Sequence, residues 1–339
     1  MTDGALSGTT DVPEKNVTYL DAINLALADA MADDDKILVL GEDVADPEEG
    51  GVVGATRGLS TRFGDHRVRS TPISEQAIIG AAIGASMIGW KPVAEIMLMN
   101  FTAVAMDMIV NHAAKLRFMS GGQTSVPITI RTMTGAGFGS GGQHADYLEA
   151  WFAHTAGMKV VAPSNAADAY GLLRSCIDDP DPCLFIENMP SYWTPGAPPK
   201  RGERIPLGKA RIVREGSDVT IVTYSRMVDE SLAAAEAVSQ EGVSAEVIDL
   251  RTVSPWDRDA VIASGRKTGR VLVVHEAVKK FGVGAEIAAD VGNVLFGVLK
   301  KPVQRLGAHY APVPFAKALE TYFMPDRGRI ADAVLALAK

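Results

Sequence analysis

Three segments of the sequence carry side chains that could do chemistry. In the first, Thr71-Pro72-Ile73-Ser74-Glu75, Ser74 can cap a helix whose first turn contains Glu75. The helix dipole favours a carboxylate at that position, and a carboxylate there could also exchange a proton with a bound ligand. Both interpretations of Glu75 stay open on these residues alone. Gly80 and Gly84, four residues apart on the same helix, predict close packing against another backbone, in this chain or a partner.

The second segment is the glycine-rich run over residues 134–143, which is followed directly by His144. Residues 137–142 match G-x-G-x-x-G, but a dinucleotide-binding fold also needs an acidic residue about 20 positions further on. The next strand instead ends in Val-Val-Ala-Pro at residues 160–163. We therefore expect this loop to approach a ligand or another chain closely rather than to bind a nicotinamide cofactor. His144 is the histidine placed best for chemistry, and a purely structural histidine is the alternative.

The third segment, residues 176–182, ends a helix before a strand and contains Asp178, Asp179 and Asp181. Carboxylates and exposed carbonyls in a tight turn are the oxygen ligands that hard cations accept. A solvated turn without an ion is the alternative. Sequence motifs for a P-loop, a zinc protease helix and a nucleophile elbow are absent from the chain, which excludes these self-contained catalytic sites.

Alternating strands and helices must position these segments. Thr18 and Asp21 resemble a capping box that starts the first helix. Beyond it, short apolar runs alternate with helical periodicity, which predicts parallel sheets covered by helices. The predicted strands are 37–40, 93–98, 126–130, 158–161, 183–186, 219–224, 245–250, 271–275 and 303–306. The predicted helices are 74–88, 102–119, 166–177, 228–240, 257–264 and 282–298. Ligands of such sheets bind beyond the carboxyl ends of the strands, where the three segments lie.

A stretch rich in proline and glycine interrupts this alternation between Asn188 and Pro206. We therefore predict a flexible tail over residues 1–17, an α/β domain over 18–190, a linker over 191–206 and a second α/β domain over 207–339. A chain of 339 residues is long enough for two domains.

Composition excludes several classes of protein. The chain has 33 basic and 41 acidic residues and a net charge of −8, which argues against a nucleic-acid partner. Its longest uncharged run, Gln76 to Trp90, is shorter than the roughly 20 apolar residues that span a membrane. The first sixteen residues resemble no leader peptide, and two cysteines are too few for a disulfide framework. A reducing, cytoplasmic setting is the expectation.

Together these segments resemble the β subunit of the thiamine-diphosphate-dependent E1 component of 2-oxo acid dehydrogenase complexes, a group that handles pyruvate, branched-chain 2-oxo acids or acetoin. The resemblance extends from Thr18 to the last helix. Its most specific stretches are residues 40–44, 71–75, 113–123, 143–144, 205–210 and 247–252.

The resemblance implies a pyrimidine-binding domain followed by a domain of the transketolase C-terminal type. In the family, an α subunit holds the diphosphate through Mg²⁺ with a Gly-Asp-Gly motif, which this sequence lacks. The chain would thus supply half of each active site in an α₂β₂ heterotetramer, paired with a second β subunit and docked on an E2 dihydrolipoyl acyltransferase. The implied reaction is oxidative decarboxylation of a 2-oxo acid, with pyruvate preferred, and reductive acylation of E2 lipoyl groups. Specificity for acetoin or branched-chain acids, and a non-catalytic scaffold subunit, are the alternatives.

The resemblance also implies roles for individual residues. Glu75 and His144 would be catalytic, with Glu75 hydrogen-bonded to N1′ of the aminopyrimidine. The residues implied to bind the cofactor are Ile73, Glu75, Met97, Phe101 and Val104. The residues implied to surround a K⁺ ion, through main-chain carbonyls, are Ile128, Cys176, Ile177, Asp179 and Asp181. Ala145 and Asp146 replace the Ser-Gln that usually follows this histidine, and we expect Asp146 to favour the charged form of His144.

Overall fold

The computed structural model describes residues 16–339. Of the predicted tail, residues 1–15 lie outside this range, whereas Val17 already belongs to a strand that pairs with Gly196. The strands are β1 Val17–Thr18, β2 Ile37–Glu42, β3 Val68–Thr71, β4 Lys91–Leu98, β5 Thr129–Thr134, β6 Lys159–Val161, β7 Cys183–Asn188, β8 Pro195–Gly196, β9 Arg211–Arg214, β10 Val219–Thr223, β11 Ala245–Asp249, β12 Thr252–Ser254, β13 Val271–Val278 and β14 Gln304–Ala308.

The helices follow the predicted alternation. They are α1 Tyr19–Asp33, α2 Leu59–Phe63, α3 Glu75–Met87, α4 Leu116–Met119, α5 Glu149–Ala153, α6 Ala166–Asp178, α7 Met227–Ser239, α8 Arg258–Thr268, α9 Val283–Val294, α10 Lys317–Phe323 and α11 Arg327–Ala338. Short 3₁₀ turns span Asp46–Glu48, Met99–Ala103 and Met189–Ser191, and a π-helix spans Asp107–Ala113. The predicted capping box is confirmed, since the Asp21 N–H donates to Thr18 Oγ1 at 3.1 Å.

Two sheets form the two halves of the molecule, which confirms the predicted α/β class. The first has the order β12-β6-β7-β5-β4-β2-β3, and the second β14-β13-β10-β11-β9. All pairs are parallel except those of β12 and β9, which lie antiparallel at sheet edges. Strand β12 follows the linker in sequence but pairs with β6 of the first sheet. A continuous apolar core joins the halves, with Phe152 and Tyr224 among its buried members.

Two predicted elements differ from the structure. The predicted helix 102–119 is instead a 3₁₀ turn, a π-helix and the short helix α4. The Thr102 hydroxyl donates to the Met99 carbonyl at 2.5 Å in the 3₁₀ turn, and such bonding competes with regular helix. The predicted strand 126–130 begins only at Thr129, because Pro127 cannot donate to the ladder. In the described part of the chain, no helix is long and apolar enough to cross a membrane.

Candidate active site

A buried carboxylate marks the carboxyl end of the first sheet. Glu75 begins α3 immediately after β3, is only 7% exposed, and accepts no hydrogen bond from residues 16–339. Ser74 precedes the helix as predicted, but its side chain makes no capping bond. The Glu75 carboxylate is therefore free to accept a hydrogen bond from a group outside residues 16–339.

A second carboxyl lies beside Glu75. Glu42 ends strand β2, which lies between β4 and the edge strand β3, and is 9% exposed. Burial raises the pKa of Glu42, and the neighbouring Glu75 and then Asp43 raise it further. Two close carboxyls disfavour a second negative charge, so this arrangement favours a proton on Glu42.

The loop that carries His144 is held by the side chain of Asn100. The Asn100 amide donates to the Gly142 carbonyl at 3.2 Å and to Asp146 Oδ2 at 3.0 Å, and its oxygen accepts from the Asp146 N–H at 3.3 Å. These bonds fix the backbone on both sides of His144. Phe101, next to Asn100 in the chain, contacts the imidazole edge-on with a ring-centroid distance of 5.5 Å. The structure thus brings together two of the residues assigned by the family resemblance.

The expected effect of Asp146 on the charge of His144 stays a prediction. Across residues 16–339, the ion pairs within 4.0 Å do not include these two side chains. The Asp146 carboxylate faces Asn100 instead. Burial raises the pKa of Asp146, although the Asn100 hydrogen bond acts in the opposite direction.

The other residues assigned to the cofactor are apolar, and two of them are largely exposed. Ile73 is 83% and Val104 57% exposed, whereas Met97 and Phe101 are half-buried. Apolar side chains together with a carboxylate that lacks a donor suit an aromatic ring with a ring N–H, such as an aminopyrimidine. The residues present therefore fit the pyrimidine half of thiamine diphosphate.

A buried ion network supports the sheet beside this site, and sequence reasoning missed it. Arg131 of β5 binds Glu95 of β4 at 2.6 Å and Glu187 of β7 at 2.7 and 2.9 Å. The Tyr192 hydroxyl donates to Glu187 at 2.7 Å. Burial would lower the pKa of Arg131, but Glu187 and Glu95 outweigh it and raise the pKa. The available signal was a charged residue in the interior of each of the three strands.

The glycine-rich loop packs against the second half of its own chain. The Ala136 N–H donates to Glu276 at 2.8 Å and the Gly139 N–H to Glu320 at 3.2 Å. A side chain at Gly141, whose φ is +73°, would clash with the Phe315 ring. The loop thus packs closely on this chain's own second half, and the expected approach to a ligand or another chain stays a prediction.

Basic side chains already neutralise the acidic turn. Lys159 binds both carboxylate oxygens of Asp179 at 2.5 and 2.6 Å, and Arg117 binds Asp181 at 2.7 Å. The residues described contain no cluster of three metal-binding side chains. Ile128, Cys176 and Ile177 are buried around the turn. A K⁺ ion there would depend on main-chain carbonyls, because the carboxylates are already paired.

Comparison with known proteins identifies relatives over nearly the whole chain. Residues 15–193 match the family "Transketolase, pyrimidine binding domain", and residues 208–330 match "Transketolase, C-terminal domain". The chain is 44% identical to the β subunit of acetoin:2,6-dichlorophenolindophenol oxidoreductase of Cupriavidus necator, over 92% of this chain and 94% of that protein. It is also 44% identical to the mitochondrial pyruvate dehydrogenase E1 component subunit beta-1 of Arabidopsis thaliana, over 92% and 86%.

Two further comparisons agree. The 2-oxoisovalerate dehydrogenase subunit beta of Bacillus subtilis is 41% identical over 95% of this chain and 99% of that protein. Among solved structures, a split-gene transketolase described as an inactive β4 tetramer superposes with a TM-score of 0.78 at 23% identity, covering 95% of this chain and 98% of that chain. At that identity the superposition supports the fold alone.

Proposed function

Because this chain belongs to the family of E1 β subunits of thiamine-diphosphate-dependent 2-oxo acid dehydrogenases, we propose that it works with an α subunit in an α₂β₂ heterotetramer. The proposed reaction is oxidative decarboxylation of pyruvate followed by reductive acylation of an E2 lipoyl group. The observation that carries this proposal is the buried Glu75 carboxylate without a donor of its own. Acetoin is the second candidate substrate, since two acetoin oxidoreductase β subunits are 44% and 42% identical to the chain.

Glu75, Ile73, Met97, Phe101 and Val104 would hold the aminopyrimidine of thiamine diphosphate. When bound, the cofactor would supply the nucleophilic carbon and the electron sink for decarboxylation. Glu75 would accept or return a proton at a ring nitrogen of the bound group, and a proton on Glu42 would keep a second negative charge away from Glu75. The apolar side chains around it exclude water and orient the ring.

His144 would serve the later acyl-transfer step. Its imidazole packs edge-on against Phe101, in the loop that Asn100 holds by hydrogen bonds. From that position it can hold or move a proton at the incoming lipoyl sulfur. Mg²⁺ would be held by the α subunit, and K⁺ by the carbonyls of Ile128 and the 176–181 turn. We also propose that residues 191–206 link two domains and that the protein works in the cytoplasm.

The decisive experiment is Glu75→Gln in the heterotetramer co-expressed with the α subunit. We expect carbon dioxide release from pyruvate to fall roughly 10²- to 10⁴-fold, the range for a positioned acid or base. The same assay is run with branched-chain 2-oxo acids, and cleavage is measured with acetoin. Glu49→Gln is the matched control, because Glu49 lies on the same half with a side chain that is 85% exposed. Full activity of Glu75→Gln would favour the scaffold alternative instead.

A further inference from the structure

A buried carboxylate of the second half binds the start of the glycine-rich loop. Glu276 lies near the end of β13 and is buried. One of its oxygens accepts from the Ala136 N–H at 2.8 Å, and the other accepts from the side-chain amide of Asn188, also at 2.8 Å. Ala136 follows β5 closely, and Asn188 ends the neighbouring strand β7. Glu276 therefore joins the carboxyl ends of two strands of the first sheet to the second sheet.

Two further side chains of the second half bind the same stretch of backbone. Arg226 donates to the Ala136 carbonyl at 3.0 Å, and the Gly137 N–H donates to the buried Glu320 at 2.5 Å. Burial raises the pKa of Glu276, whereas Arg226 and then the two hydrogen bonds lower it. An ionised carboxylate accepts at both oxygens, as Glu276 does. The peptide groups on both sides of Ala136 are thus bound by side chains from the second half.

Packing contributes less to the position of the two ends of the loop. A cavity of about 320 Å³ lies between these ends and β13, and its lining includes Ala136, Ala145 and Ala277. Backbone that borders a cavity makes fewer of the close contacts that would oppose its movement. Hydrogen bonds therefore contribute more than packing to where the loop begins and ends, and those of Glu276 come first along the loop.

We propose that Glu276 is a positioning residue for His144. The step that it serves rests on the proposed function, whereas its contact with the loop rests on the bonds described above. Glu276 acts through the backbone of residues 136–144: it fixes the start of the loop, while Asn100 fixes the backbone around the histidine. Without the first of these two contacts, the imidazole would also occupy positions that do not suit proton transfer to an incoming sulfur.

A purely structural role is the alternative, because Glu276 also ties the two sheets together. The two roles differ in what a substitution affects. Positioning predicts a loss of acyl transfer while decarboxylation is retained, and it predicts a more mobile loop. A structural role predicts lower thermal stability with equal losses in both activities.

The test exchanges the donor and the acceptor of one buried hydrogen bond. Glu276→Gln keeps an oxygen for the Ala136 N–H but turns a second amide toward that of Asn188. In Glu276→Gln/Asn188→Asp, a carboxylate at position 188 accepts from an amide at position 276, which restores both bonds and the net charge. Glu246→Gln is the matched control, since Glu246 is a buried carboxylate of β11 that accepts from Ser264 of the same half.

All variants are studied as heterotetramers co-expressed with the α subunit. Decarboxylation with dichlorophenolindophenol as electron acceptor does not need acyl transfer, whereas acylation of a lipoylated acyltransferase domain does. Deuterium uptake over residues 134–144 reports the mobility of the loop independently of any activity. Thermal unfolding confirms that each variant is folded. Asn188→Ala, which removes only the bond from Asn188, replaces Glu276→Gln if that variant does not fold, and the same losses are expected to be smaller.

We expect the kcat of acyl transfer to fall roughly 10- to 100-fold in Glu276→Gln, the range for the loss of a hydrogen bond to a charged group. Dye reduction should change by less than about threefold, and deuterium uptake over the loop should be faster. The double variant should return acyl transfer to within about threefold of the wild type. Glu246→Gln should leave acyl transfer and loop uptake unchanged.

Unchanged acyl transfer and uptake in Glu276→Gln overturn the proposal. Equal losses in both assays overturn it too, as does a double variant that is no better than Glu276→Gln. Absent dye reduction in the wild type would instead contradict the proposed function, and deuterium uptake would still show whether Glu276 holds the loop.

Discussion

Asn100→Ala should separate the two halves of the proposed reaction. The substitution removes every hydrogen bond between the Asn100 side chain and the loop around His144. It leaves Glu75 and the apolar cofactor surface intact. The loop would then keep its contacts with the second half of the chain but lose the bonds that flank His144.

The magnitude follows from the bonds that are lost. A neutral hydrogen bond contributes about 0.5–1.5 kcal/mol net, and one to a charged group such as Asp146 about 1.5–3 kcal/mol. Because the loop is only part-buried, we take about 2–3 kcal/mol for the set. If that free energy positions His144, the step that uses His144 slows by about 30- to 150-fold.

Two assays are compared on the same preparation of heterotetramer. Dye-coupled decarboxylation does not need acyl transfer, whereas acylation of a lipoylated acyltransferase domain does. We expect the loss in the second assay, seen as a fall in kcat, with less than a threefold change in the first. Asn24→Ala is the matched control, since the Asn24 amide donates to the carbonyls of Ala55 and Arg57, both at 3.0 Å, in a different loop.

Equal losses in both assays would refute the argument, because they would mean that Asn100 supports the fold as a whole. Equal losses for Asn24→Ala in acyl transfer would refute it as well. Asp146→Asn keeps an oxygen that can accept from Asn100, so it should retain most of the activity that Asp146→Ala loses.

The other predictions concern buried ionisable groups. Burial lowers the pKa of His275 from 6.5 to about 4, so the unfolded chain takes up the proton first, and stability should fall by about 3 kcal/mol between pH 6.5 and 4. In urea unfolding, the free energy of unfolding of His275→Gln should not show this fall between pH 6.5 and 4. Burial raises the pKa of Glu149 from 4.5 to about 7. The stability that protonated Glu149 contributes is therefore fully present below pH 4.5 and is lost as the pH rises through 7. Glu149→Gln should therefore raise stability at pH 8 by about 3 kcal/mol, measured in the same way. Arg131→Met should lower the free energy of unfolding by about 3–5 kcal/mol, because it leaves Glu95 and Glu187 buried and unpaired. Adding Glu95→Gln and Glu187→Gln should recover part of that loss in urea unfolding.

The sequence sufficed for the alternation of strands and helices but not for their pairing. Apolar runs such as 219–224 predicted strands that the structure places almost unchanged. Nothing local in Thr252–Ser254 indicates that this segment joins the first sheet, because the pairing depends on how the chain returns after the linker. The π-helix after β4 was also missed, since a segment of seven residues is too short for its apolar periodicity to distinguish it from an α-helix.

For the site, residue types indicated candidates, while tertiary contacts decide their partners. Glu75 and His144 were found from their positions after strands and beside glycines. The hydrogen bonds from Asn100 to the loop around His144, including the one to the Asp146 carboxylate, were not predicted, because they join residues that are 42 and 46 positions apart in the sequence.

The insertion of β12 into the first sheet makes the two halves of the chain inseparable. A fragment that ends at the linker would lack β12, so β6 would become the unpaired edge strand of the first sheet. Replacing the second half with that of a related enzyme would fail unless residues 252–254 of the replacement could pair with β6. Recombination in this architecture should therefore favour crossovers that keep residues 159–161 and 252–254 from one parent.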